Sequence, residues 1–261
     1  AEVVAAVTQL AEIGVQRGLP LIARELAQRH GVPLAADGTP QDLLVIAMGK
    51  GGGAELNVSS DLDLIFVYDE EGETAARAPF DAPRVTLSNQ EYFERMGKRL
   101  IALLSETTGD GFVFRVDMRL RPNGDAGPLA VSGAMLEEYL VRQGREWERF
   151  AWLKGRVIST AVFAADAQFA AQLAALTTIV RPSVFRKYLD FNAIRSLRDL
   201  HAMIRAETQK KSVRRAGGHD NHDDNVKLGR GGIREIEFIV QTFQIMRAGR
   251  DARLRERGFN Q

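Results

Sequence analysis

At 261 residues with 45% hydrophobic and 26% charged side chains, the chain has the length and composition of an ordinary soluble globular protein, either one large domain or two small ones around a substantial core. It contains no cysteine, which excludes disulfides and thiolate chemistry, and no apolar run long enough to cross a bilayer or serve as a signal peptide, so a cytoplasmic protein is expected. The formal net charge of +1 hides an asymmetry: residues 181–261 carry 18 Lys and Arg against 10 Asp and Glu, which suits either a phosphate-facing surface or plain solvated helix faces.

The chain opens at Ala1 with no initiator Met, so an excised or processed piece is expected. Val3, Val7, Leu10 and Ile13 predict a helix over 2–17, which Gly18 and Pro20 should end; a second helix runs from Leu21 to His30. This pair reads as packing support, with His30 a partner of a helix C-terminus rather than a metal ligand. Residues 31–42 lead into the stretch around which the chain is organised, LVIAMGKGGGAELNVSSDLDLIFVY at 44–68: an apolar strand, a glycine-rich turn or short helix, and a second apolar strand.

Alternation along that second strand puts Asp61 and Asp63 on one face, about 6–7 Å apart, while Leu62, Leu64 and Phe66 take the other. Two carboxylates side by side repel unless a cation lies between them, and hard oxygen ligands suit Mg²⁺ or Mn²⁺. Gly49, Gly52 and Gly53 can bring backbone N–H groups close to a phosphate. Each element has a plain structural reading too, as a common turn and a strand-opening Asp, and the turn is no Walker A loop because no Lys-Ser/Thr pair closes the spacing.

Residues 69–87 read as an exposed acidic excursion. Ser88-Asn89-Gln90-Glu91 is a capping box that opens a helix whose stripe of Tyr92, Met96, Leu100, Leu103 and Leu104 belongs in a core. The alternation of FVFRVDMRLR predicts a half-buried strand over 112–121 with Arg115, Asp117, Arg119 and Arg121 on its charged face. Asp117 is the candidate third carboxylate for a two-metal site; an Asp–Arg ladder on a wet sheet face is the alternative. A short strand at 129–131 and helices near 133–142, 145–153 and 161–176 follow. Pro182 suits the first turn of a long helix to about 211 that carries His201, and residues 212–226 read as a mobile polar loop with no metal despite their His and Asp content. Gly229, Gly231 and Gly232 then lead into an amphipathic helix, an arrangement suited to anions. The domain expectation is a helical support over 1–40, a core over 41–160 and a mainly helical part over 161–261.

The pattern Gly49-Lys50 followed by Asp61-Leu62-Asp63-Leu64 resembles the polymerase-β-type nucleotidyltransferase superfamily. Lys50 departs from that superfamily's usual small residue; GKGGGAELNVSSDLDLIF is, more narrowly, similar to the glutamine synthetase adenylyltransferase family, from which Gly51 and Ala54 depart. FRVDMRLRPNG, GREWERFAW and KLGRGGIREIEF extend that resemblance over residues 42–250 and look like the family's adenylyl-removing half. The resemblance implies an α+β fold: a polymerase-β-like core of a small mixed sheet with flanking helices, plus N- and C-terminal helical parts. It implies Asp61, Asp63 and Asp117 as catalytic ligands of Mg²⁺ or Mn²⁺. It further implies phosphate or nucleotide contacts from Gly49, Lys50, Gly52, Gly53, Ser60, Arg119, Arg121, Gly231 and Gly232, and metal or ligand contacts from Glu235 and Glu237, which as first-turn residues could equally be helix-dipole partners. The implied activity is phosphorolysis of the adenylylated tyrosine of glutamine synthetase, phosphate in and ADP out, with the PII signalling protein as a partner. Forward adenylylation by ATP and a non-catalytic module binding PII or an effector are the alternatives. Nucleic acid and membranes are not expected partners, since the basic bias lacks aromatic interleaving.

Overall fold

The computed structural model describes residues 2–80, 85–185, 202 and 232–255, with only the backbone of 234 and 235. The chain divides into two compact units, one of residues 1–143, 154–181 and 257–261, the other of 144–153 and 182–256. The architecture is the expected α+β class, a small mixed sheet with flanking helices.

In the first unit, β2 (Leu44–Ala47) runs antiparallel to β3 (Leu62–Tyr68), in a register that pairs Leu44 with Val67 and Ala47 with Leu64. A two-residue strand β7 (Arg156–Val157) adds antiparallel to the outer edge of β2. The other edge of β3 takes two parallel partners: β5 (Val116–Asp117) at its start and β6 (Ala130–Ser132) at its end. A parallel neighbour needs a crossover, and the helix α3 (Asn89–Ser105) supplies it between β3 and β5. A separate ribbon pairs β1 (Val32–Pro33) with β4 (Thr74–Ala75).

The core lies between one face of this sheet and two helices. Leu62, Leu64, Phe66 and Tyr68 of β3 join Tyr92, Phe93, Met96, Leu100 and Leu104 of α3 and a stripe of α1 (Glu2–His30). Burying each such side chain stabilises by about 1.5–3 kcal/mol. Gly97 lets α3 approach closely, since a Cβ there would come within 2.7 Å of the Phe66 ring. The capping box is complete, with the Glu91 N–H donating to Ser88 Oγ and the Ser88 N–H to Glu91 Oε2.

Several expectations need correction. α1 is one continuous helix, not two: Pro20 lies on its exposed side, so its missing N–H is lost where water can compensate, while the buried face of Thr8, Ala11, Val15, Leu19, Ile22 and Leu26 keeps helical spacing past it. That face is also not the one predicted, because Val3, Leu10 and Ile13 are exposed. Only Val116 and Asp117 of the 112–121 alternation pair as strand, and Phe112 is exposed; the residues on either side turn away from β3 once Leu62 N–H has bonded to Arg115 O (2.8 Å). The acidic excursion is mostly exposed among its described residues, as expected, and is tethered at Thr74 and Leu87, both buried and hydrogen-bonded to each other.

Further along, α4 (Gly133–Arg142) is capped by Ser132, whose Oγ accepts the Met135 N–H, and α6 (Asp166–Val184) carries Pro182 in its last turn rather than at the start of a new helix. The second unit contains α5 (Glu146–Leu153) and α7 (Ile233–Arg247). There Phe150 stacks on Phe238 at 5.2 Å, and buried Arg149 donates to the carbonyls of Ser183 and Val184. Trp152 is buried and Trp147 half-buried. The remainder of the predicted helix to 211, His201 and the loop at 212–226 lie outside the described residues. Among the described residues no helix is long and apolar enough to cross a membrane.

Candidate active site

The site is built where β2 leaves the sheet. The chain passes from Ala47 through Met48 into a single helical turn, α2 (Gly49–Gly52), and returns as β3. Met48 N–H donates to Asp63 O (2.9 Å), which fixes the turn directly against the start of β3. Gly49 has φ +52°, and a Cβ there would sit 3.2 Å from Asp63 Oδ2, so both backbone conformation and close approach call for glycine. At Gly52 a Cβ would fall 1.9 Å from Lys154 O and 2.4 Å from Ala47 O, so two backbones close on it. Gly53 N–H closes the turn onto Gly49 O, and Ala54 follows in the left-handed region at φ +57°. Lys50 Nζ donates to Ser60 Oγ at 3.2 Å, joining the turn to the residue before Asp61.

Asp61 immediately precedes β3, and Asp63 lies on it, on the face opposite Leu62, Leu64 and Phe66. Asp117 on β5 is Asp63's register partner in the parallel ladder, so the two carboxylates share a side of the sheet. They feel each other: burial pushes the Asp63 carboxyl up to about 6, and the negative charges of Asp117 and Asp61 add to the rise, partly offset by Arg119. Asp117 moves the other way. The Arg119 guanidinium bonded to it holds its carboxyl below the usual range, against a smaller upward push from burial.

Two guanidinium groups occupy these carboxylates. Arg119 grips Asp117 with both side-chain and backbone donors: Nε reaches Oδ1 and Oδ2 at 3.0 and 2.9 Å, Nη2 reaches Oδ2, and the backbone N–H reaches Oδ1 at 2.9 Å. Arg115 Nε donates to Asp61 Oδ1 (2.6 Å) and Nη2 to Ser59 O (2.8 Å). Among the described residues no three acidic or histidine side chains are arranged to hold a metal ion. In chemistry the three carboxylates, Asp63 and Asp117 on paired strands and Asp61 just before β3, are hard oxygen donors of the kind a divalent cation takes, and the charged form of Asp63 is disfavoured by burial first and by the other two carboxylates second. The Arg119 side chain is 74% exposed, whereas Asp117 beneath it is 14% exposed, so the guanidinium lies on the solvent side of the pair.

Arg121 behaves differently from Arg119. Its side chain is only 11% exposed and folds inward, Nη1 donating to Met118 O and Asp125 Oδ1, so it shapes the loop after Asp117. Gly232 and Glu237 belong to the second unit, as the N-cap and a first-turn neighbour of α7; Gly231 and the Glu235 side chain lie outside the described residues. Sequence reasoning missed Glu12, Asp42, Glu55, Lys154 and Arg156. Asp42, buried before β2, accepts the backbone N–H groups of Val162, Phe163 and Ala164. Burial outweighs those bonds and raises its carboxyl. An Asp directly before an apolar strand was the available signal. For Lys154 and Arg156 it was a pair of cations one residue apart at the entry to the apolar Val157-Ile158.

Residues 1–174 match the family model of glutamate-ammonia ligase adenylyltransferase, and residues 198–259 match that of GlnD PII-uridylyltransferase. Two curated relatives, from Ralstonia nicotianae and Burkholderia mallei, are 55% and 54% identical over 98% of this chain, and both are described as bifunctional glutamine synthetase adenylyltransferase/adenylyl-removing enzymes. The chain spans only 27% and 26% of their lengths.

Proposed function

The chain belongs to the glutamate-ammonia ligase adenylyltransferase family, and from that premise we propose that it removes AMP from the adenylylated tyrosine of glutamine synthetase by metal-dependent phosphorolysis, as a cytoplasmic nucleotidyltransferase. The observation that carries this reading is the register pairing of Asp63 with Asp117, which gathers carboxylates beside a glycine turn. An oxygen of inorganic phosphate attacks the adenylyl phosphorus in line. The new P–O bond forms as the bond from phosphorus to the tyrosyl oxygen breaks; ADP results, and the tyrosinate takes a proton from water. The backbone at the start of the 49–53 turn, Ser60 and the neighbouring Lys50 position the phosphates, and Arg119 transfers its fork from Asp117 to phosphate oxygens. Asp61, Asp63 and Asp117 would hold Mg²⁺ or Mn²⁺, which when bound offsets charge on the attacking and leaving oxygens.

The match of residues 198–259 to a PII-uridylyltransferase model supports PII as a regulatory partner. Because the family description names an adenylyltransferase, the forward reaction is the second reading. Offering the intact protein adenylylated glutamine synthetase with phosphate, and separately the unmodified enzyme with ATP, distinguishes them: ADP release in the first assay is the expected result, and AMP incorporation alone would reverse the assignment. Metal titration without binding, alongside intact binding of PII, would leave only a regulatory module.

A further inference from the structure

A turn made of four glycines in five positions is closed by its own backbone bonds, Gly52 N–H to Met48 O and Gly53 N–H to Gly49 O, and side chains from elsewhere add to that hold. The anchors lie far away in sequence. Arg156 of β7 donates from Nε to Gly52 O (3.0 Å) and from Nη2 to Gly51 O (3.1 Å), and the same Nη2 reaches Glu12 Oε1 of α1 at 2.5 Å. Beside it, Lys154 Nζ donates to Glu55 Oε2 at 3.0 Å, with both side chains mostly buried, and Leu56 N–H donates to Thr8 Oγ1 of α1. All of these residues lie in the first unit.

We propose that Arg156, braced by Glu12, is a positioning residue for the phosphate-binding turn, and that α1 thereby belongs to the working site rather than serving only as packing. This rests on the phosphorolysis reading. In a helical turn the N–H and C=O groups point in opposite directions along the axis, so fixing the carbonyls of Gly51 and Gly52 also fixes where the N–H groups of the turn are aimed. A planar guanidinium holds two carbonyls and a carboxylate at once, which an ammonium on a flexible stem does not reproduce. Glu12 orients the fork and neutralises a charge that is about three-quarters buried. The substrate class placed by this device is the inorganic phosphate or the β-phosphate of the product ADP.

The test uses the intact protein with Arg156→Lys, Arg156→Met and Glu12→Gln, with Asp63→Asn as control, and reads phosphate KM and kcat in ADP release, binding of inorganic phosphate by calorimetry, and the melting temperature. Both Arg156 variants should raise phosphate KM and weaken phosphate binding roughly tenfold or more, with kcat changing less; Glu12→Gln, which keeps the side-chain shape, should keep the wild-type melting temperature and shift KM in the same direction by a smaller factor. Unchanged phosphate KM in Glu12→Gln and Arg156→Lys overturns the proposal, as does a fall in activity that merely follows the melting temperature. If Asp63→Asn is inactive while the Arg156 variants behave as wild type, the positioning role alone fails. If Asp63→Asn remains active, it is the reading of the acidic site that fails.

Discussion

β3 and β5 each contribute carboxylates to one place, yet they are opposite kinds of strand. β3 is seven residues long, paired on both edges and buried along its whole length except at Asp63. β5 is two residues long, half-buried, and flanked by Arg115 and Arg119, both exposed. The same side chain type therefore meets opposite fates across one register pair: Asp63 is pushed up to about 6 and Asp117 is held down by its guanidinium. The lesson is that the rigid strand supplies the strained, unneutralised charge, and the light strand supplies the adjustable one.

The largest break in that contrast should come from Asp63→Asn. ADP release should fall at least a hundredfold, with the fold retained. The same variant tests the electrostatics without substrate. A carboxyl whose pKa is raised from 3.8 to about 6 on folding contributes stability below pH 4 that is lost as pH rises through 6. In the presence of a chelator the variant should therefore melt above the wild type near pH 8 and level with it below about pH 4; a constant offset would remove the account given of Asp63.

Next in size is Gly52→Ala. Its methyl would meet the backbones of Lys154 and Ala47, neither of which can retreat without breaking the β2–β7 edge. A loss of about 2–3 kcal/mol in denaturant unfolding is expected. Arg119→Ala sharpens the comparison from the β5 side: removing the competing cation should tighten Mn²⁺ binding about two- to fivefold by calorimetry, as suits an exposed pair, while phosphate binding weakens. If metal affinity stays the same, Arg119 and the cation are not rivals for Asp117. Smallest is Ala54→Gly, which relieves a left-handed φ at the end of the turn and should stabilise by a few tenths of a kcal/mol, small because glycine also gains freedom in the unfolded chain.

Much of this was legible in residue order because it is local. The two-residue period around Asp61 and Asp63, the glycines between two apolar runs and the Ser88–Glu91 box each act within one element, where spacing alone decides which side chains share a face. Tertiary structure decided what depends on residues far apart meeting: the pairing of Asp63 with Asp117, the continuity of α1 past Pro20, and the reach of Arg156 across 144 residues to Glu12. A propensity breaks down there for a physical reason. A short edge strand is set by its neighbour rather than its own alternation, and an exposed proline costs a helix little when its opposite face is packed. The places of Asp61, Asp63 and Asp117 within their elements were thus readable from the sequence, and which cations pair with Asp61 and Asp117 only from the fold.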